Sequence, residues 1–276
     1  MLGPDVVRAL SGDLPQPCGT ARQPAGSYSL RISDVIDRPS IRDVAQVSRF
    51  EDRNESSTAS APELNDPRHE YASADITSLD EVMAVMAGCD LAIVCSVVRE
   101  HAVGAFEVNC RGVFNAMTAA VAHGHPRLVN TGPKEVHAGQ QYRAHHNLTE
   151  DGPPQSGLDI YSFSKGLGNE VARVFTKNHE ITVLTTLHGS FPSAEFGQGT
   201  EGSSLSAGEV TAEQGDGLPQ AICSTFEDAA RAVRCCVEVP LSSLPSSACF
   251  VLLHTVLYYL ILLFAVLCCV YALKTT

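Results

Sequence analysis

The stretch Leu91-Ala-Ile-Val-Cys-Ser-Val-Val98 decides the fold that the sequence predicts. It is an apolar run of strand length without a charged residue, which is typical of a strand buried on both faces of a sheet. Just upstream, Ser78 and Glu81 have the spacing of a helix capping box, and apolar residues follow at helical spacing as far as Gly88. The sequence therefore predicts a helix followed by a buried strand.

The same alternation continues on both sides of this strand. Further strands are predicted at 28–35, 127–131 and 181–187, and further helices at 4–10, 106–122, 161–179 and 224–237. Strands that alternate with helices predict a parallel sheet covered on both faces, so we expect an α/β, doubly wound, Rossmann-like fold. We assign residues 1–247 to this domain and interpret the polar stretch 48–70 as an exposed insertion within it.

The charge balance excludes one class of function. Of the 276 residues, 19 are Lys or Arg and 31 are Asp or Glu, which gives a net charge of −12. No nucleic-acid partner is expected, because binding phosphates requires a basic surface. None of the ten cysteines belongs to a Cys-x-x-Cys pair, so we also expect no metal site.

The segment Tyr161-Ser-Phe-Ser-Lys165 carries the candidate chemistry. Four residues are about one helical turn, so both side chains lie on the same face of the predicted helix. A phenol with a pKa near ~10 is a poor base at neutral pH, and an ammonium group one turn away favours the phenolate. Tyr161 and Lys165 are therefore the candidate catalytic pair, although a half-buried tyrosine beside a solvated lysine gives the same pattern.

Several other segments stand in a fixed order around this pair. They are Ala74-Asp-Ile76, Cys89-Asp-Leu-Ala-Ile-Val-Cys-Ser-Val-Val98, Phe106-Glu-Val-Asn-Cys-Arg-Gly112 and Arg127-Leu-Val-Asn-Thr131. In this order, and together with Tyr161 and Lys165, they resemble the extended short-chain dehydrogenase/reductase family, the NAD-dependent sugar epimerases and dehydratases. The similarity is concentrated between residues 71 and 187.

The resemblance implies a bound dinucleotide and the residues that hold it. Gly3 stands where the family has the last glycine of its phosphate loop, and Asp34, with Asp37 as a competing candidate, would bind the adenosine ribose. NAD is therefore the expected cofactor, with NADP as the alternative. The other implied cofactor-binding residues are Asp75 and Ile76 near the adenine, Cys95 in the turn beneath the cofactor, Asn109 in the helix signature, and Lys165 at the ribose.

The sequence also departs from the family at two places. The family's first strand and first two phosphate-loop glycines would precede Gly3 and are not in the sequence, so we expect an incomplete sheet and weak NAD binding. Where the family has its catalytic serine, Gly132 and Pro133 carry no hydroxyl. Thr131 is the adjacent candidate for this catalytic role, although a shift of one residue at a strand end turns a side chain away.

The activity implied by the resemblance is an NAD(P)-dependent oxidation or epimerisation at a substrate hydroxyl. Tyr161 would move the hydroxyl proton, and Lys165 would lower the pKa of the phenol. A small molecule is the expected substrate, with a nucleotide sugar as one candidate. The alternative is a catalytically inactive, membrane-tethered family member that acts as a binding or scaffold protein. Family members often form homodimers through two helices, which here are 106–122 and 161–179.

The C-terminal stretch Phe250–Leu273 has two interpretations. Its 24 residues carry no charge, and at about 1.5 Å per residue a helix of this length spans a hydrocarbon core of about 30 Å. We therefore expect a transmembrane helix that anchors a cytoplasmic domain, since the basic residues Arg231 and Arg234 lie upstream. In the alternative interpretation, Cys249–Leu253 is the next buried strand of the sheet.

Overall fold

The structure is a computed structural model, which describes part of the chain. The described residues are 3–11, 28–35, 66–99, 101–133, 136, 156, 159–188, 226–244, 249–254 and 273–274. Of the insertion predicted at 48–70, residues 48–65 lie outside these ranges, and Glu70 already belongs to a strand. Asp37 lies outside the described residues as well.

Helices and strands alternate along most of the described chain. The helices are α1 (Gly3–Ser11), α2 (Leu79–Met86), α3 (Ala102–Phe106), α4 (Gly112–His123), α5 (Ile160–Asn178) and α6 (Phe226–Glu238). A π turn (Glu107–Arg111) joins α3 to α4, and a 3₁₀ turn (Leu241–Ser243) follows α6. The strands are β1 (Ser29–Asp34), β2 (Glu70–Ser73), β3 (Ala92–Val94), β4 (Arg127–Pro133), β5 (Thr182–His188), β6 (Cys249–His254) and β7 (Leu273–Lys274).

Two of the predicted element boundaries are wrong for physical reasons. The strand predicted at 91–98 is shorter, because the backbone of Val98 is hydrogen-bonded to the side chain of Asn109 instead of a neighbouring strand. The helix predicted at 106–122 begins four residues earlier, at Ala102. There the His101 side chain accepts a hydrogen bond from the Gly104 N–H and caps the helix.

Strands β3 to β6 form a parallel sheet in the order β3-β4-β5-β6. Every residue of β4 and β5 is buried, which explains why their sequences are apolar and β-branched without alternation. Their register pairs Leu128 with Val183 and Val129 with Leu184. The carboxyl ends of β3, β4 and β5 therefore meet at one edge of the sheet.

A second, smaller sheet has the order β2-β1-β7. Strands β1 and β2 run parallel, with Asp34 opposite Ser73 at their carboxyl ends. Strand β7 pairs with the other edge of β1 in the antiparallel direction, through Ser29 and Leu30. In the described part of the chain, the strand beside β1 is thus antiparallel, whereas the family's first strand would be parallel.

Helices cover both faces, as the predicted doubly wound fold requires. On one face, Val129 and Leu184 pack in a buried cluster with α1 and α6. On the other face, Leu128 and Val183 pack with α2, α4 and α5. Because Leu30 of β1 belongs to the first cluster, both sheets share that layer of the core. The predicted α/β, Rossmann-like architecture is confirmed.

Two buried arginines fix the ends of helices. Arg127 on β4 donates to the carbonyl oxygens of Cys236, Val237 and Val239 at the end of α6. Arg234 on α6 donates to the carbonyl oxygen of Ala9 in the last turn of α1 at 2.8 Å. These bonds satisfy carbonyl groups that a helix end leaves unpaired, and they tie α1 and α6 to the sheet.

The transmembrane helix predicted at Phe250–Leu273 is wrong at both ends. Its first residues belong to β6, which extends the four-stranded sheet by pairing in parallel with β5. This pairing is the one that the alternative interpretation of Cys249–Leu253 predicts. Its last residue belongs to β7, and residues 255–272 lie outside the described chain. Among the helices that the structure describes, none has both the length and the apolar composition needed to span a membrane.

Candidate active site

Tyr161 and Lys165 lie in the first two turns of α5, and Asp159 fixes the start of this helix. The Asp159 carboxylate accepts hydrogen bonds from the Ser162 N–H at 2.8 Å and from the Ser162 hydroxyl at 2.7 Å. A side-chain cap of this kind pairs a backbone donor that the helix itself leaves unpaired. The helix end that carries both candidate catalytic residues therefore has a defined position.

Lys165 is a buried cation, only 2% exposed. Its Nζ donates to the backbone carbonyl oxygens of Ser96 and Thr131, at 2.9 Å each. Burial lowers the pKa of Lys165 to about 8, while the nearby Cys95 raises it and the charge of Arg99 lowers it further. The interpretation of Lys165 as a solvated surface lysine is thus wrong. Its ammonium group lies at the carboxyl ends of β3 and β4, where open α/β sheets bind ligands.

Asn109 connects the loop after β3 to α5. It is fully buried in the π turn, and its Oδ1 accepts a hydrogen bond from the Val98 N–H at 3.0 Å. Its Nδ2 donates to the Val98 carbonyl oxygen at 2.7 Å and to the Ser164 hydroxyl at 2.9 Å. Asn109 was predicted to bind the cofactor, and in the structure its amide positions the loop that would lie beneath it. π turns of this kind often occur at functional sites.

Gly168 allows α5 to approach this π turn closely. A Cβ atom at this position would lie 2.4 Å from the backbone oxygen of Asn109 and 3.2 Å from a methyl group of Val113. Backbone atoms cannot move aside as a flexible side chain can, so a larger residue would push the two helices apart. The sequence motif of the site does not reveal this requirement.

Thr131 contributes its backbone to the site more clearly than its side chain. Its carbonyl oxygen accepts the hydrogen bond from Lys165, while its hydroxyl donates to the Val94 carbonyl oxygen at 3.0 Å. The hydroxyl proton is therefore already used, although the oxygen keeps an acceptor lone pair. Gly132 and Pro133 follow in the same buried strand and have no hydroxyl.

Arg99 is a residue of the site that the sequence motifs did not indicate. Its guanidinium carbon lies 5.0 Å from the centroid of the Tyr161 ring, which is the geometry of a cation–π contact. The only sequence signal is its position, five residues beyond the end of β3 and thus at the edge where Lys165 lies.

Comparison with known proteins gives a match in structure and none in sequence. No protein-family model and no curated protein sequence matches the chain. A variant of uronate dehydrogenase from Agrobacterium tumefaciens, solved in complex with NAD, matches with a TM-score of 0.53 at 17% identity, over 82% of this chain and 66% of that protein. The chain has the fold of the extended short-chain dehydrogenases/reductases.

Two further solved structures show the same kind of similarity. Uronate dehydrogenase from the same organism gives a TM-score of 0.44 at 22% identity, over 59% of this chain and 52% of that protein. A dTDP-glucose 4,6-dehydratase from Streptomyces venezuelae with NAD bound gives 0.48 at 18% identity, over 70% of this chain and 54% of that protein. The chain thus spans about half the length of these two proteins.

Asp34 and Asp75 lie close to the carboxyl ends of neighbouring strands in this chain. Asp34 is the last residue of β1, and Asp75 lies two residues after the end of β2. Asp34 is exposed at the end of β1, and its backbone oxygen accepts a hydrogen bond from the Ala74 N–H at 2.8 Å. The Asp75 carboxylate accepts from the Thr77 N–H at 2.8 Å, so one of its oxygens already closes a local turn. Asp34 therefore has the more accessible carboxylate.

The remaining predicted cofactor residues are Ile76 after β2, Cys95 after β3 and Gly3 at the start of α1. The Ile76 carbonyl oxygen accepts from the Asn115 amide at 2.9 Å, and the Ile76 side chain lies against Gly112. Cys95 directly follows β3 and is half-buried. It lies close enough to Lys165 to raise the pKa of the ammonium group. Gly3 is the first residue of α1, as its predicted place at a helix start requires.

Proposed function

We propose that this chain is an NAD-dependent oxidoreductase that acts on a hydroxyl-bearing, sugar-like small molecule. The observation that carries the proposal is the arrangement of Lys165. A buried ammonium group, hydrogen-bonded to two strand-end carbonyls, lies one helical turn from Tyr161 at the ligand-binding edge of the sheet. Burial of a lysine costs free energy, and a site that uses its charge accounts for it.

The roles of the two residues follow from this arrangement. Tyr161 accepts the proton of the substrate hydroxyl through its phenol oxygen. Lys165 holds a positive charge nearby, which favours the phenolate form, and its third ammonium hydrogen can bind a ribose hydroxyl. NAD, when bound, supplies the hydride acceptor. A nucleotide sugar or a sugar acid is the finer substrate proposal, since the solved neighbours include uronate dehydrogenase and dTDP-glucose 4,6-dehydratase.

The residues present fit such a cofactor better at its two ends than at its phosphates. The exposed carboxylate of Asp34 suits the two ribose hydroxyls of an adenosine and would repel the additional phosphate of NADP. Lys165 and Cys95 would line the other end of the bound cofactor. At the start of α1, however, Pro4 has no N–H to donate to a phosphate, so this helix start offers one backbone donor fewer than a start without proline. We therefore propose that NAD binds weakly, with a dissociation constant above the micromolar range.

The test uses the full-length chain with NAD and four candidate substrates. Glucuronate, UDP-glucuronic acid, dTDP-glucose and glucose are each incubated with enzyme and NAD while the near-ultraviolet absorbance of NADH is followed. NADH formation with at least one sugar supports the proposal, and calorimetric titration with NAD gives the affinity. Sub-micromolar NAD binding would show that the start of α1 does not limit the cofactor site.

A second candidate function is that of a dinucleotide-binding protein without turnover. The observation that favours it is the Thr131 hydroxyl, which donates its proton to Val94, together with the absence of a hydroxyl at the two positions that follow. In this case NAD binds and no sugar is oxidised. The same titration and absorbance assay separate the two functions for the sugars that are oxidised. For dTDP-glucose the product is analysed by mass, because a dehydration returns the hydride to the sugar and leaves no net NADH.

We also propose that two copies of the chain associate through α4 and α5. These helices leave large apolar side chains in solvent, with Phe114 46% exposed, Phe163 45% exposed and Val174 49% exposed. Several large apolar side chains exposed on two neighbouring helices are typical of a protein–protein contact. Light scattering after gel filtration should give the mass of a dimer, and Phe114→Glu should give that of a monomer.

A further inference from the structure

The loop that carries Arg99 is held in one position. Both backbone groups of the preceding residue, Val98, are hydrogen-bonded to the buried amide of Asn109. The same amide is hydrogen-bonded to Ser164, one residue before Lys165 on α5. The backbone from which Arg99 extends is thus fixed relative to the helix that carries the candidate catalytic pair. Its guanidinium group lies above the Tyr161 ring.

Arg99 differs in what it contacts from seven other arginines of the described chain. These seven donate to carboxylate or carbonyl oxygens: Arg31, Arg68, Arg111, Arg127, Arg173, Arg231 and Arg234. Arg99 lies with its guanidinium above an aromatic ring, and within the described ranges it forms no ion pair. A cation–π contact uses the charge of the guanidinium and does not require all five of its N–H donors, so donors remain that can bind an anion.

Two positive charges lie near Tyr161, namely the guanidinium of Arg99 above its ring and the ammonium group of Lys165 one helical turn further along α5. The charge of Arg99 acts on Lys165, and in the described part of the chain no carboxylate forms an ion pair with either residue. The nearest acidic residue along α5, Asp159, uses its carboxylate oxygens to cap the helix at Ser162. An exposed guanidinium and a buried ammonium beside one phenol attract an anion, and the planar guanidinium suits carboxylate or phosphate oxygens.

We infer that Arg99 binds an anionic group of the substrate, a carboxylate or a phosphate, carried close to the hydroxyl that reacts at Tyr161. The inference rests on the proposed oxidoreductase function, because it takes the Tyr161 oxygen as the place where the substrate hydroxyl lies. A guanidinium above the same ring is within reach of substrate groups bonded to the carbons next to the one that carries the reacting hydroxyl. The substrate class is then an acidic or phosphorylated sugar, and the neutral sugar of the same shape binds less well.

The test measures binding directly, with D-glucuronate as the anionic probe and D-glucose as its neutral counterpart. Calorimetric titrations of the full chain are done with and without NAD. We expect glucuronate to bind more tightly than glucose, and Arg99→Gln to weaken glucuronate binding by about 10- to 100-fold, the size of a charge-assisted bidentate contact. Arg99→Lys should keep part of the affinity that Arg99→Gln loses. The positive charge remains, whereas the paired N–H donors of the guanidinium are lost.

The matched control is Arg173→Gln, an exposed arginine on α5 that is paired with Glu170. It should leave glucuronate affinity within about twofold, as a rim charge distant from the ligand does. The inference is overturned if Arg99→Gln also keeps the affinity within twofold, if glucose binds as tightly as glucuronate, or if glucuronate does not bind at all. It is also overturned if Arg99→Gln weakens NAD by the same factor, because the guanidinium then binds the cofactor pyrophosphate.

The outcomes also separate this inference from the proposed function. Glucuronate bound through Arg99 by a chain that never reduces NAD supports the anion site and overturns the oxidoreductase proposal. Turnover of glucose and glucuronate at equal rates supports the oxidoreductase and overturns the anion site. If Arg99 only favoured the phenolate of Tyr161, Arg99→Gln would slow both sugars equally and shift the pH profile. That result also counts against substrate binding by Arg99.

Discussion

The two sheets of this chain differ in burial, in strand direction and in what they offer a ligand. In the sheet β3-β4-β5-β6, all pairs are parallel, β4 and β5 are completely buried, and the carboxyl ends hold Lys165. In the sheet β2-β1-β7, the last residues of β1 are exposed and one pair is antiparallel. The first sheet positions the candidate catalytic pair, and the second carries Asp34, which we propose binds the adenosine end of the cofactor.

The difference indicates which part of the fold can vary without loss of the candidate catalytic pair. Lys165 depends on the Thr131 carbonyl of β4 and on the Ser96 carbonyl in the loop after β3. Asn109 holds this loop against α5 through its hydrogen bonds to Val98 and Ser164. Asp34 depends on the three-stranded sheet. Changes in the first region should therefore affect turnover and stability strongly, and changes in the second should affect mainly cofactor affinity.

The largest effect is expected for Tyr161→Phe. Removal of the phenol oxygen removes the proton acceptor, so turnover of any accepted sugar should fall by about 10²- to 10⁴-fold, while NAD affinity stays within about threefold. The measurement is the initial rate of NADH formation together with calorimetric titration. Tyr28→Phe is the control, because its hydroxyl donates to Glu238 on α6, away from the site. Full activity of Tyr161→Phe would exclude this residue from the mechanism.

Asn109→Ala should give the largest loss of stability. The substitution removes three hydrogen bonds from a fully buried amide and leaves the backbone of Val98 unpaired, which should cost about 2–4 kcal/mol of the free energy of unfolding. Asn115→Ala is the matched control on the next turn of the same helix, with one hydrogen bond to Ile76. Urea unfolding measures the free energy of unfolding of both variants. Equal losses would contradict the conclusion that the hydrogen bonds of Asn109 hold the loop after β3 against α5.

These two sites show what the sequence could and could not predict. Tyr161 and Lys165 were identified because one helical turn between a phenol and an ammonium is a local pattern. The role of Asn109 was not, since its partners Val98 and Ser164 are 11 and 55 residues away in the sequence. Arg99 was missed for the same reason: its contact with Tyr161 exists only after the chain folds.

Gly168→Ala and Gly166→Ala test how tightly α5 packs in the four-stranded region. The added methyl group at Gly168 meets the backbone oxygen of Asn109, so we expect a loss of about 1–3 kcal/mol. At Gly166 it meets the hydroxyl oxygen of Ser156, which can rotate away, so the loss should stay below about 1 kcal/mol. Thermal unfolding decides the order, and a smaller loss at Gly168 would mean that α5 can shift.

The pH dependence of turnover should report the ionisation of Lys165. Its pKa is about 8, so the ammonium form is lost above that pH, and a rate that depends on it should fall about tenfold per pH unit. Unfolding does not explain such a fall, because the unfolded lysine keeps its proton to higher pH, so deprotonation of Lys165 itself adds to stability there. A rate that stays level up to pH 10 would contradict the proposed role of the ammonium group.

Asp34→Asn tests the three-stranded sheet and should have the smallest effect of these substitutions. The carboxylate is exposed, so stability should change by less than about 0.5 kcal/mol, while NAD affinity should fall by about threefold to tenfold and the preference over NADP should narrow. The rate at saturating NAD should not change. A loss of turnover at saturating NAD would show that Asp34 does more than hold a ribose.

The contrast between local sequence patterns and contacts between distant residues also applies to the fold. The strands predicted at 127–131 and 181–187 are present because their apolar runs reflect burial on both faces. The tail was misassigned because a long uncharged run has the same composition whether it forms a helix or begins with a strand, and only the pairing of β6 with β5 distinguishes them. The antiparallel partner of β1 depends on a contact between residues at opposite ends of the chain.

The π turn at Glu107–Arg111 has a consequence for the helical phase of this segment. One additional residue in a turn rotates everything beyond it by about 100° around the helix axis, relative to a continuous α-helix. With that rotation in place, the buried residues of α4 pack against the sheet and the Asn109 amide is hydrogen-bonded to the loop after β3. Deletion of one residue here would make the helix more regular and turn either the amide or the apolar side of α4 away from its partners.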